Sequence, residues 1–179
     1  QQTVSDRSLS DGATLTDLSD ESTRFTKTAS QMRGLKNIEP QLILDKLNLV
    51  TSRGVTVAGI LLFGKSPQRF LPQAVIKFAH YFGLDVLGNT LEVEVITGNL
   101  FDQVERSFDL ISSKLTIVAN NAKKKLQRSS TLEIPPQAIR EVLMNAITHR
   151  DYGSAASIQV LIFSDRIEIW NPGSLPQGI

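Results

Sequence analysis

The sequence predicts an α+β fold, on three observations. Apolar residues recur at helical spacing over 41–47, 57–63, 99–118 and 135–149. They alternate, or run unbroken at strand length, over 73–82, 91–96, 157–163 and 166–170. The strand patterns come in two close pairs, separated by 83–89 and by Ser164-Asp165. Gaps that short join antiparallel partners, whereas parallel partners need a crossover of a dozen residues or more.

Residues 1–34 read as a linker or extended arm, rich in Ser, Thr and Asp, with weak helical character over 21–33. After the Pro40 break, Leu42, Ile43, Leu44 and Leu47 give a helix one apolar face. Ser52-Arg53-Gly54 is a turn, and Thr56 is placed to cap a helix whose Val57, Ala58, Ile60, Leu61 and Leu62 are largely buried. This helix, turn, helix succession resembles a small winged-helix-like unit. Ala74, Ile76, Phe78, His80 and Phe82 form one side of a strand, and His80 on it reads as a packed or hydrogen-bonded histidine. Leu100, Val104, Phe108, Ile111 and Leu115 mark the longest helix.

Composition narrows the classes of function. Hydrophobic content of 41% and charged content of 21% are ordinary for a soluble globular protein. A net charge of +1 supplies no global field for nucleic acid or anionic membrane, so no membrane partner is expected. With no cysteine there is no disulfide framework and no thiolate metal site, which suits a cytoplasmic location. Lys123, Lys124, Lys125 and Arg128 form the one basic cluster, in a polar connector without interleaved aromatics. It is the candidate nucleic-acid contact, able to release counterions without reading sequence.

Residues 59–66, Gly-Ile-Leu-Leu-Phe-Gly-Lys-Ser, match the P-loop spacing. Physically they do not fit it. A phosphate cradle is an exposed loop of convergent amides, and exposing Ile60, Leu61, Leu62 and Phe63 would forgo roughly 1.5–3 kcal/mol of burial for each side chain. The segment is expected to be a buried helix ending at Gly64.

Residues 135–153 carry the most chemistry. Glu141, Asn145 and His149 follow at four-residue steps along one margin of a helix, while Ile139, Val142, Leu143, Ala146 and Ile147 supply its apolar side. A carboxylate one turn before an amide can take a proton from water, and the amide oxygen is a hard ligand suited to magnesium. After the following strand pair, Asn171-Pro172-Gly173 turns the chain.

Residues 140–152 (Arg-Glu-Val-Leu-Met-Asn-Ala-Ile-Thr-His-Arg-Asp-Tyr) and 165–173 (Asp-Arg-Ile-Glu-Ile-Trp-Asn-Pro-Gly) resemble the carboxy-terminal region of bacterial RecG-helicase-related proteins, a family of putative transcriptional regulators. Relatives in that family usually carry a Schlafen AlbA-type domain upstream. The resemblance extends back through 42–49 and 56–72, and so covers most of the chain from about residue 35.

The resemblance implies a domain order of 1–34 arm, 35–130 middle α+β domain and 131–179 first half of a divergent GHKL-like ATPase domain. It likewise implies ATP and magnesium as cofactors. Glu141 would then activate water, Asn145 would bind the metal, and His149, Asn171 and Gly173 would border the nucleotide. In that superfamily an Asp reads the adenine amino group; Asn171 stands in its place here and accepts only through a neutral amide oxygen. The whole reads as a piece of a longer DNA-associated regulator, with DNA reached through other domains and homo-oligomers among its partners. Helicase activity is not implied, since no motor motif accompanies these residues. The rival reading is a non-catalytic scaffold or dimerisation module with a decayed nucleotide pocket.

Overall fold

A computed structural model describes residues 7–32, 39–124 and 134–173, with the side chains of residues 32 and 116–124 left aside. Among these the elements are α1 (Asp20–Met32), α2 (Pro40–Lys46), β1 (Val50–Thr51), β2 (Gly54–Val55) and α3 (Val57–Phe63). There follow β3 (Ile76–Tyr81), β4 (Thr90–Ile96), α4 (Leu100–Lys124), α5 (Pro136–Thr148), β5 (Ile158–Ile162) and β6 (Ile167–Trp170). The fold is α+β. Two compact units are present, the first comprising residues 1–74 and 98–101, the second residues 75–97 and 102–179.

In the first unit, Leu18, Leu44, Leu49, Val50, Val55, Ile60 and Phe63 share one core. Thr56 caps α3, its hydroxyl accepting from the Gly59 amide at 3.2 Å while donating to the Asn48 carbonyl at 2.9 Å. A Cβ built on Gly59 would stand 2.2 Å from the Leu49 carbonyl oxygen, so only glycine admits this approach of α3 to the β1–β2 hairpin. Leu9 bridges to Thr56 and Leu18 to Gly64 in short antiparallel pairs. The stretch expected to be an extended arm is therefore part of a packed unit, because its sparse apolar residues Ala13 and Leu18 fall where that core needs them.

The second unit is built on a four-stranded sheet in the order β4-β3-β5-β6. β3 pairs antiparallel with β4 (Phe78 opposite Glu94) and parallel with β5 (Phe78 opposite Val160), and β5 pairs antiparallel with β6. Both hairpins expected from the alternation are present. The parallel β3–β5 pairing is not among the sequence expectations, and it corrects the expected division at residue 130. A cut there would run through one continuous sheet.

One sheet face carries Ile76, Phe78, Ile158, Val160 and Ile162, all at most 2% exposed. Glu94 and Arg106 pair at 2.8 Å and Glu92 pairs with Lys114, which places α4 over this face. α5 is tied to α4 by Arg140, whose guanidinium makes two bonds to Glu105, at 2.5 and 3.0 Å, and lies 4.0 Å over the Phe108 ring.

Candidate functional site

α5 starts at Pro136, a residue preorganised for the first helical turn, and buries Ile139, Leu143, Ala146 and Ile147. Glu141 and Asn145 lie on the exposed side one turn apart, and His149 follows them as the exposed C-cap residue. The expected row of carboxylate, amide and imidazole is thus displayed along a single helix margin.

The turn after β6 docks against the end of this row. The Asp151 amide donates to the Pro172 carbonyl at 2.7 Å, and a Cβ on Gly173 would meet the His149 carbonyl oxygen at 2.6 Å. Gly173 is therefore required by this contact. His149, Asn171 and Gly173 are brought together at the C-terminal end of α5, and Asn145 stands one turn back. The Asn171 Oδ1 is buried and has no hydrogen-bond partner among the described residues.

Below the turn sits Arg150, 6% exposed, donating to the Val75 carbonyl at 3.3 Å and the Ala156 carbonyl at 2.9 Å. Its guanidinium lies 5.0 Å from the Tyr152 ring centre, and burial lowers its affinity for a proton. Tyr152 donates to the Ile147 carbonyl at 3.1 Å, and burial pushes its phenol up to about 12. Arg150, Tyr152 and Asp151 together fix the exit of α5 onto the sheet. Local spacing indicates no positioning role for Arg150 or Arg140, whose partners include the Val75 carbonyl, 75 residues away, and the Glu105 carboxylate, 35 residues away, and none for Tyr152.

An apolar cavity of about 230 Å³ lies beside the row, lined by Ile111, Ile134, Ala138, Ile139, Val142, Ile167 and Ile169. It is smaller than most small-molecule pockets, which begin near ~300 Å³. Its walls come from α4, α5 and β6. A larger cavity, about 360 Å³, lies in the first unit between α1 and α2 and contains none of the anticipated residues.

The remaining candidates are placed as follows. Lys65 donates to the Thr16 carbonyl at 2.8 Å, and Ile60, Leu61 and Phe63 are buried, so the P-loop spacing belongs to a core helix as expected. Lys123 and Lys124 are in the last turn of α4. Lys125 and Arg128 lie outside the described residues. His80 faces α4, with Glu92 opposite it on β4. Among the described residues no three His, Asp or Glu side chains gather as a metal site, and no helix is long and apolar enough to cross a membrane.

No known protein-family description matches the chain, and no curated protein matches it. Among solved structures it is similar to the DIP2311 protein from Corynebacterium diphtheriae, with 20% sequence identity and a TM-score of 0.61. The likeness covers 97% of this chain and 28% of the other, so this chain spans little more than a quarter of that protein's length. At that identity the likeness shows the fold.

Proposed function

We propose that the second unit is a divergent ATP-binding segment of a RecG-helicase-related, DNA-associated regulator that acts in the cytoplasm. The observation that supports this reading is the docking of the Asn171-Pro172-Gly173 turn onto the end of α5, which joins the Glu141/Asn145 row to a second candidate nucleotide contact. α5 and β6 also line an apolar cavity on which a base could rest. One exposed amide oxygen, at Asn145, fits a magnesium ion that takes most of its ligands from phosphates and water. Bound there, the ion would neutralise phosphate charge. Glu141, a turn away and exposed, would take the proton of an attacking water.

A non-catalytic scaffold is the second reading, and the Asn171 Oδ1 favours it. The atom that would accept from an adenine amino group is buried rather than presented. Calorimetric titration of ATP into the chain, with and without magnesium, separates the two. The ATP-binding reading expects weak binding, in the range of about −4 to −6 kcal/mol, that needs magnesium. Asn145→Ala should remove it, while Glu141→Ala spares binding, since a general base acts in the transition state more than in the bound ground state. Binding that ignores magnesium and both substitutions, or no binding at all, would leave the scaffold reading in possession.

A further inference from the structure

The second unit leaves a large apolar surface uncovered. Phe82, Leu84, Val86, Leu87, Leu91, Val93 and Val95 are between 54% and 91% exposed, all within one stretch of fourteen residues running from the end of β3 through β4. Monomeric proteins rarely expose contiguous apolar patches above a few hundred Å². Seven such side chains within fourteen residues are a dense run of exposed apolar surface for a monomer.

The stretch is held in place. The Gly83 amide donates to the Ser164 hydroxyl at 3.1 Å, the Ser164 amide donates to the Gly83 carbonyl at 2.9 Å, and Arg166 donates to the Leu84 carbonyl at 2.9 Å. Asp85 accepts from the amides of Leu87 and Gly88 at 2.9 and 3.1 Å. The apolar side chains between 82 and 88 are therefore displayed on a pinned loop.

β4 is also an edge strand, with β3 on one side and no strand on the other among the described residues. Edge strands are usually blunted by charge, proline or shortness, because their free amides and carbonyls template further pairing. β4 is seven residues long and has no proline or lysine. Its two charges, Glu92 and Glu94, point to the helix side, where Lys114 and Arg106 neutralise them. On the other face Val93 and Val95 stand without a charge between them, and Leu91, the extra residue where the pairing with β3 shifts register, precedes them on the strand.

We propose that β4 pairs antiparallel with β4 of a second copy of this chain, about a twofold axis at Val93. That register places Val93 opposite Val93, with Val95 of each copy running toward the Leu91 end of the other, so the apolar face of the strand is its own complement. On the reverse face it sets Glu92 opposite the copy's Glu94, and the Lys114 and Arg106 partners remove the repulsion that two bare carboxylates would meet. The proposal is independent of the nucleotide reading, since neither face of β4 includes Glu141, Asn145 or the turn after β6.

The chain has no cysteine, so Val93→Cys introduces the sole thiol. Cα atoms opposite each other at an antiparallel pair stand about 4.5–5.5 Å apart, within disulfide reach. Mild oxidation should convert most of V93C to a covalent dimer, whereas Gln159→Cys, on the same sheet face two strands away, should stay monomeric. Sedimentation equilibrium of the unmodified chain should show a reversible dimer. Val93→Lys and Val93→Glu should each raise its dissociation constant at least tenfold, and mixing the two should restore a mixed dimer, which unfolded variants cannot form. A folded chain that stays monomeric at 100 micromolar, about 5.5 kcal/mol of association free energy, would overturn the proposal and assign the surface to a different partner. A dimer indifferent to both Val93 charges, or equal cross-linking of both cysteine variants, would overturn it as well.

Discussion

His80 sits on the helix-facing side of β3, opposite Glu92, which is itself paired with Lys114. Burial is the largest influence on its imidazole, the nearby ammonium adds to it and the Glu92 carboxylate opposes both, leaving the folded value below the ordinary 6.5. A base whose folded value is depressed favours the native state fully above its unfolded value. That contribution is lost as pH falls through the folded value, because the unfolded chain binds the proton first. Urea midpoints measured at pH 7.5 and pH 5.0 should therefore fall further for the unmodified chain than for His80→Gln. Equal falls would mean that His80 is not held neutral. The same residue scale shows what spacing can convey: four-residue steps placed Glu141 and Asn145 on one exposed margin, and both are exposed. Spacing conveyed nothing about Arg150. Its partners are the carbonyls of Val75 and Ala156, and a buried arginine in the sequence looks like any solvated one.

Elements were legible wherever local chemistry decides them. Thr56 caps α3, and the alternations over 73–82 and 91–96 hold the strands found at 76–81 and 90–96. α1 was the weaker case. Its face is built from Ser22, Thr26 and Phe25 instead of aliphatic residues, with the Phe25 ring 5.3 Å from that of Phe63. Gly59 carries the sharpest prediction at this scale. Alanine normally stabilises a helix interior over glycine by roughly 0.5–1 kcal/mol. Here the added Cβ would meet a backbone oxygen at 2.2 Å and a Val55 methyl at 2.8 Å, neither of which is the loose end of a flexible side chain. Crowding outweighs propensity, and Gly59→Ala should lower stability by roughly 1–3 kcal/mol in denaturant unfolding. A neutral or stabilised variant would show that α3 can move off the hairpin freely.

At the scale of the whole molecule, the order of the strands in the sheet was hidden while the strands themselves were not. Alternation says which residues of a strand face inward but carries no record of which other strand lies alongside, and β3 and β5 are separated by α4 and α5. A hairpin of two strands is marginal in water, and β3 has its second neighbour only when β5 arrives from the far end of the chain. Phe78 and Ile76, both 0% exposed, lie beside Val160 and Ile158 across that junction. A chain ended after residue 156 keeps β3, β4, α4 and α5 but removes β6 and β5, the strand that flanks both of those core residues on the side away from β4. Its first unit should retain structure, since the core of Leu44, Val55, Ile60 and Phe63 contains nothing from β5 or β6. Hydrogen exchange should then find the amides of 57–63 still protected, while those of 76–81 and 90–96 exchange at rates close to the unfolded chain. Persistent protection of β3 and β4 in the shortened chain would instead make 35–130 a domain in its own right and reduce the parallel pairing to a contact between finished parts.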